Sequence, residues 1–99
     1  MSIRVVAEFH LRAEAVDAFL AAAEELVAAT HANDDGCVAY DLYRDSADAL
    51  HLTVIEEWRD QPSLDAHMAK EHFQRLLPRL DGAADPARPA VITVYEPVV

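Results

Sequence analysis

Cysteine and glycine are scarce in this chain, and cationic side chains are few. Its single cysteine, Cys37, has no partner for an internal disulfide, which fits a reducing compartment and leads us to expect a cytoplasmic protein. A lone cysteine also offers no zinc knuckle. The five histidines never fall in an H-x-H or H-E-x-x-H spacing, so no metal site is expected from local motifs. With only Gly36 and Gly82 there is no glycine loop to cradle a nucleotide, and no serine sits in a nucleophile elbow. Eight basic residues against eighteen acidic ones give a net charge of −10. Such a field repels nucleic-acid phosphates and anionic lipid surfaces, so neither nucleic acid nor membrane is expected as a partner. No apolar run reaches the length of a membrane span. The first eleven residues are interrupted by Arg4 and Glu8, unlike a signal peptide.

At 99 residues the chain reads as one domain over 1–99, a size that buries only roughly two-thirds of the unfolded surface. A hydrophobic content of 53% is high for so short a monomer and suggests that a partner covers apolar surface.

Ile3 to Leu11 reads as a first strand. From about Glu14 to Ala32, Val16, Phe19, Leu20, Ala23, Leu26 and Val27 recur at three- and four-residue spacing and predict an amphipathic helix. It ends in His31-Ala32-Asn33-Asp34-Asp35-Gly36, whose Asn, Asp and Gly favour left-handed or turn conformations. Cys37 to Arg44 and His51 to Trp58 read as strands of a hairpin joined by 45–49. Asp60, with Pro62 just inside, signals a second helical region through about Leu80. Leu64/Met68 and Phe73/Leu76/Leu77/Leu80 do not share one phase, so a break is expected between Lys70 and His72. Turn-rich 81–89 then leads to a last strand, Ala90 to Glu96.

The order β-α-β-β-α-β is that of the ferredoxin-like α+β fold, an antiparallel sheet with helices on one face. Ile3, Val5, Ala7 and Phe9 share one face of the first strand while Val6 turns to the other, and the last strand alternates likewise. Two helices cover only one face. A second copy packing sheet on sheet is the simplest cover for the other, so we expect a homodimer forming a dimeric α+β barrel.

Chemistry concentrates where the third strand meets the second helical region. Glu56 and Trp58, two apart on a strand, project from one face, and His67 follows about two turns into the next helix. A carboxylate and an imidazole beside an aromatic wall can take a proton from an organic molecule. Each residue also has a structural reading. Glu56 shares its face with Leu52 and Val54, so its carboxylate is either functional or braces a dimer interface. Trp58 either packs the core or walls a pocket. His67 points into a pocket or pairs on the surface with Glu71. His72 lies five residues from His67, about 140° around a continuous helix, which favours a helix-end role unless the break intervenes. Tyr40 and Tyr43 face opposite sides, with Tyr40 the pocket candidate. His10, His31 and His51 read as surface or turn residues.

Together, Gly36-Cys37-x-x-Tyr40, Glu56-x-Trp58-x-Asp60, Leu64-x-x-His67 and His72-Phe73 resemble the antibiotic-biosynthesis monooxygenase (ABM) domain, particularly its small quinol-monooxygenase-like members. The resemblance covers nearly the whole chain. It implies a dimer that oxygenates a small aromatic substrate, phenolic or hydroquinone-like, with dioxygen and without metal, flavin or haem. On that reading His67, oriented by Glu56, takes the proton, Tyr40 holds the oxyanion, and Trp58, His72, Phe73 and Leu76 contribute to the substrate pocket. A non-catalytic small-ligand-binding or stress-response dimeric barrel and an isomerase of a small carbonyl metabolite remain open. Haem-degrading relatives of similar fold carry an Asn, a Trp and a ligating His. Ungapped placement puts Phe9, His67 and Leu77 at those positions, so haem degradation is not expected.

Overall fold

A computed structural model describes residues 2–99. Strand β1 (Ile3–His10) leads through a 3-10 turn at Ala13–Ala15 into helix α1 (Val16–Asn33). Strands β2 (Cys37–Asp45) and β3 (Asp48–Trp58) follow, then helices α2 (Gln61–Ala69) and α3 (Glu71–Gly82), and strand β4 (Val91–Tyr95). The strands pair antiparallel in the order β2-β3-β1-β4. This is the α+β ferredoxin-like arrangement the element order implied.

Strict alternation positions the core. Ile3, Val5, Ala7 and Phe9 of β1 and Leu52, Val54, Glu56 and Trp58 of β3 are all buried on the helix side of the sheet. Helix α1 lays Phe19, Ala22, Ala23, Leu26 and Thr30 on them. Leu20, expected on that face, is exposed, because at about 100° per residue it lies one step around from Phe19. The hairpin is also tighter than expected. Its turn is only Ser46-Ala47, since Asp45 Oδ1 accepts the Ala47 N–H at 2.8 Å and Asp48 Oδ1 the Leu50 N–H at 3.0 Å, so β3 begins at Asp48 rather than His51.

Gly36 has a different purpose from the one its neighbours suggested. Among the described residues no backbone adopts positive φ. Instead, a Cβ on Gly36 would lie 2.0 Å from Ser63 Oγ, so glycine lets the α1–β2 turn press against α2. The Gly36 carbonyl in turn accepts the Arg59 N–H at 2.9 Å. This contact fixes the position of Asp34.

The sheet's outer face is mixed. Ile55, Tyr43, Val91 and Tyr95 are about half exposed there. Beside them Arg4 pairs with Glu57 at 3.4 Å, and His51 lies between Asp45 and Glu8 at 3.0 and 3.2 Å. On the inner face the helices stop short of β4, leaving Ile92 and Val94 52% and 47% exposed. None of the helices in the described residues is long and apolar enough to cross a membrane.

Candidate active site

Register places two candidates, Glu56 and Tyr40, in one row. Glu56 on β3 lies between Val5 of β1 and Tyr40 of β2, all buried and facing the helices. Helix α2 brings His67 over that row. Its start is set by Asp60, whose carboxylate accepts the Ser63 N–H at 2.9 Å, with Pro62 in the first turn. From there Leu64 and His67 fall one turn apart on the buried side. The His67 ring packs against Trp58, Phe73 and Tyr40 at centroid distances of 4.6, 4.9 and 5.2 Å.

The partner of His67 is Asp34, not Glu56. Nδ1 of His67 hydrogen-bonds an Asp34 carboxylate oxygen, while Glu56 accepts from Trp58 Nε1–H at 2.8 Å. The surface pairing of His67 with Glu71 does not form either. His67 is 1% exposed, and Glu71 holds Arg75 at 2.6 Å. Nothing local marked Asp34, which lies 33 residues before His67 in a turn whose Asn, Asp and Gly looked sufficient to stop a helix. Only the close packing of Gly36 on α2 makes it a neighbour.

The expected break falls at Lys70, whose ψ of 151° ends α2 and whose next residue starts α3. It resets the helical phase, so His72 comes to the inside and its Nε2 lies 3.1 Å from Asp34 Oδ1. Asp34, His67 and His72 are all buried, with one donor atom from each within 4.8 Å of the others. Among the described residues these three could hold a metal ion, a set that motif spacing could not reveal because its members lie on a turn and two helices.

Between Glu56 and His67 lies an apolar cavity of about 50 Å³ lined by Tyr40, Met68, Phe73, Leu77 and Ile92 among others. Trp58, His72 and Leu76 do not line it, contrary to expectation. Trp58 is wholly buried and holds the Glu56 carboxylate, and Leu76 is packed in the core. Leu77 and Met68 stand at the wall instead. Half-exposed Ile92 puts the cavity near the open β4 edge. His31 and His51 lie outside the site, on the Tyr40 carbonyl and among outer-face carboxylates respectively, and His10 stacks on His51.

Burial pushes the Glu56 carboxyl up to about 7, against the opposing hydrogen bond from Trp58. Burial likewise holds His67 below the usual imidazole range, against the pull of Asp34. Tyr40 is raised far above the ordinary phenol range, first by burial and then by Glu56, so it serves as a neutral hydroxyl. The cavity therefore has a carboxyl able to keep its proton near neutrality and a neutral imidazole able to take one. Opposed shifts of this kind separate acid from base in an active site. The second imidazole nitrogen, Nε2 of His67, is buried and has no hydrogen-bond partner among the described residues.

The antibiotic biosynthesis monooxygenase family model matches residues 2–79. The chain belongs to this family. It is 32% identical over 96 residues to the Mycobacterium tuberculosis protein Rv0793, which bears a provisional monooxygenase name, covering 97% of this chain and 91% of the relative. A conserved protein from Methanosarcina mazei Go1 superposes with a TM-score of 0.90 at 33% identity, over 96% of this chain and 91% of that one. A crystal structure of an antibiotic biosynthesis monooxygenase gives a TM-score of 0.89 at 35% identity, over 98% of this chain and 99% of that one. The family match, with the monooxygenase names of the first and third of these proteins, supports a general monooxygenase role.

Proposed function

We propose that the protein is a cofactor-independent monooxygenase that oxidises a phenolic, hydroquinone or polyketide-like aromatic with dioxygen. One observation carries the reading: a buried imidazole is tied at Nδ1 to a buried carboxylate, and its unpartnered Nε2 belongs to a ring lining an apolar cavity. Asp34 keeps the proton on Nδ1 and stabilises the imidazolium, so Nε2 is the basic atom. It takes the acidic proton of the substrate. The resulting electron-rich anion passes one electron to dioxygen, and the two radicals join as a C–O bond to give a peroxide anion. Protonation of the peroxide, loss of water by O–O cleavage and departure of the C–H proton leave a carbonyl. One oxygen atom ends in product and one in water. Glu56, whose carboxyl burial raises to about 7 so that a large fraction holds its proton near neutral pH, is placed to supply a proton to the peroxide. Tyr40 offers a hydroxyl to the substrate oxygen, and Phe73 and Leu77 keep water from the intermediates.

A second copy of the chain completes the proposal. The half-exposed Ile55, Tyr43, Val91 and Tyr95 leave apolar side chains on the outer face, which supports a sheet-on-sheet homodimer. Oxygen uptake against dihydroxynaphthalenes and anthrones, by wild type and His67→Ala, tests the chemistry. Uptake lost with His67 supports it. Substrate turnover under nitrogen would replace it with isomerisation by the same proton-transfer pair, and tight binding without turnover would make the protein a ligand carrier.

A further inference from the structure

We infer that Asp34, His67 and His72 form a binding site for one divalent transition-metal ion of the zinc class, and that its occupancy silences the base. Two imidazoles and a carboxylate, each from a different element, converge with donor atoms within 4.8 Å. All three side chains are more than nine-tenths buried. Among the described residues, Asp34 Oδ1 makes no hydrogen bond although it is buried. Zinc ligands at about 2.0–2.2 Å in tetrahedral array leave neighbouring donor atoms roughly 3.3 Å apart. Asp34 Oδ1 and His72 Nε2 already stand 3.1 Å apart, close to that spacing, and the other donor separations, all within 4.8 Å, adjust by small side-chain movements. Mixed nitrogen and oxygen donors select zinc, cobalt, nickel or copper over the oxygen-seeking calcium and magnesium.

A route to the site exists. A polar cleft of about 290 Å³, separate from the apolar cavity, is lined by Asp34 and His67 together with Asp35 and Asp60. It has room for a water in the fourth coordination position, and the net charge of −10 favours cations around the molecule.

The consequence for His67 follows from its tautomers. Bonded to Asp34, the neutral ring carries its proton on Nδ1 and leaves Nε2 as acceptor. A metal on Nδ1 forces the proton onto Nε2. The atom that should accept the substrate proton then becomes a donor. This inhibition rests on the function proposed above, whereas the site itself does not.

Calorimetric titration of chelator-treated full-length protein with zinc should give one site per chain. Cobalt should bind there with the intense visible absorption of a tetrahedral complex. His72→Gln, checked for folding by circular dichroism, should weaken zinc by more than the 10–100-fold typical of changes behind a ligand, and Asp34→Asn should do the same if it folds. His51→Gln, which alters the outer-face cluster of His51, Asp45 and Glu8, should leave affinity unchanged. Absence of stoichiometric binding by wild type, or equal binding by a folded His72→Gln, overturns the site. Zinc that binds as expected while the metal-free protein consumes no oxygen keeps the site and sinks the reaction instead.

Discussion

Replacing Glu56 by Gln should make the protein more stable, and more so as pH rises. The carboxyl is buried, and its pKa climbs from 4.5 to about 7. A raised carboxyl binds its proton more tightly in the folded state than in the unfolded one. Folding stability therefore falls as pH rises through the window from 4.5 to about 7, and levels off above it. Relative to the fully protonated state, the linkage relation gives a cost of about 0.8 kcal/mol at pH 5 and about 3.3 kcal/mol at pH 8. The amide cannot ionise, and its oxygen can still accept from Trp58. The stability difference between Glu56→Gln and wild type should therefore move by about 2.5 kcal/mol in favour of the variant between these pH values. For a chain of this length that is roughly 10 °C or more in melting temperature. His67, whose pKa is depressed, works in the opposite sense, gaining stability as pH rises toward 6.5. It is common to both proteins and cancels in the difference. Thermal melts of both at pH 5 and pH 8 make the measurement. A difference that does not change with pH would refute a buried, proton-retaining carboxyl.

Three further outcomes are expected. His67→Ala and Asp34→Asn should each lower oxygen uptake by on the order of 100-fold, with the double mutant little worse than either single; additive losses would separate the two residues. Gly36→Ala should cost about 2 kcal/mol in denaturant unfolding, because its Cβ falls on the Ser63 side chain, and adding Ser63→Gly should recover part of it; no recovery would place the strain elsewhere. Light scattering at micromolar concentration should give the mass of two chains, and a folded monomer would remove the sheet-on-sheet assembly.

Much of this architecture was legible because each element carries a local reason. Alternation in β1 and β3, the three- and four-residue spacing of α1, and Asp60 with Pro62 at the start of α2 each state a structure without help from distant contacts. The same holds for Glu56 and His67, recognisable as a carboxylate on an apolar strand face and an imidazole on a buried helix side. Their partners were not legible. A hydrogen bond from Trp58 to Glu56 is compatible with their shared face, but spacing does not distinguish it from one to His67. Asp34 was read as a turn residue because its neighbours already accounted for the turn, and no periodicity connects it to His67. Leu76 and Leu77 are adjacent in one apolar run, so which of them met the cavity depended on the rotation of α3 after Lys70. The break itself was visible from the phase mismatch, but not the angle it produced.

Helix α3 supplies both the cavity wall, through Phe73, Leu77 and Leu80, and His72, the second imidazole on Asp34. It is joined to α2 through the single extended residue Lys70. A swing of α3 about that hinge would widen the chamber to admit an aromatic ring and, in the same movement, strip His72 from the carboxylate. His67, held on α2, would keep Asp34 to itself while the ligand enters. Binding and the basicity of the imidazole would then share one mechanical coordinate, with no signal needing to cross the sheet.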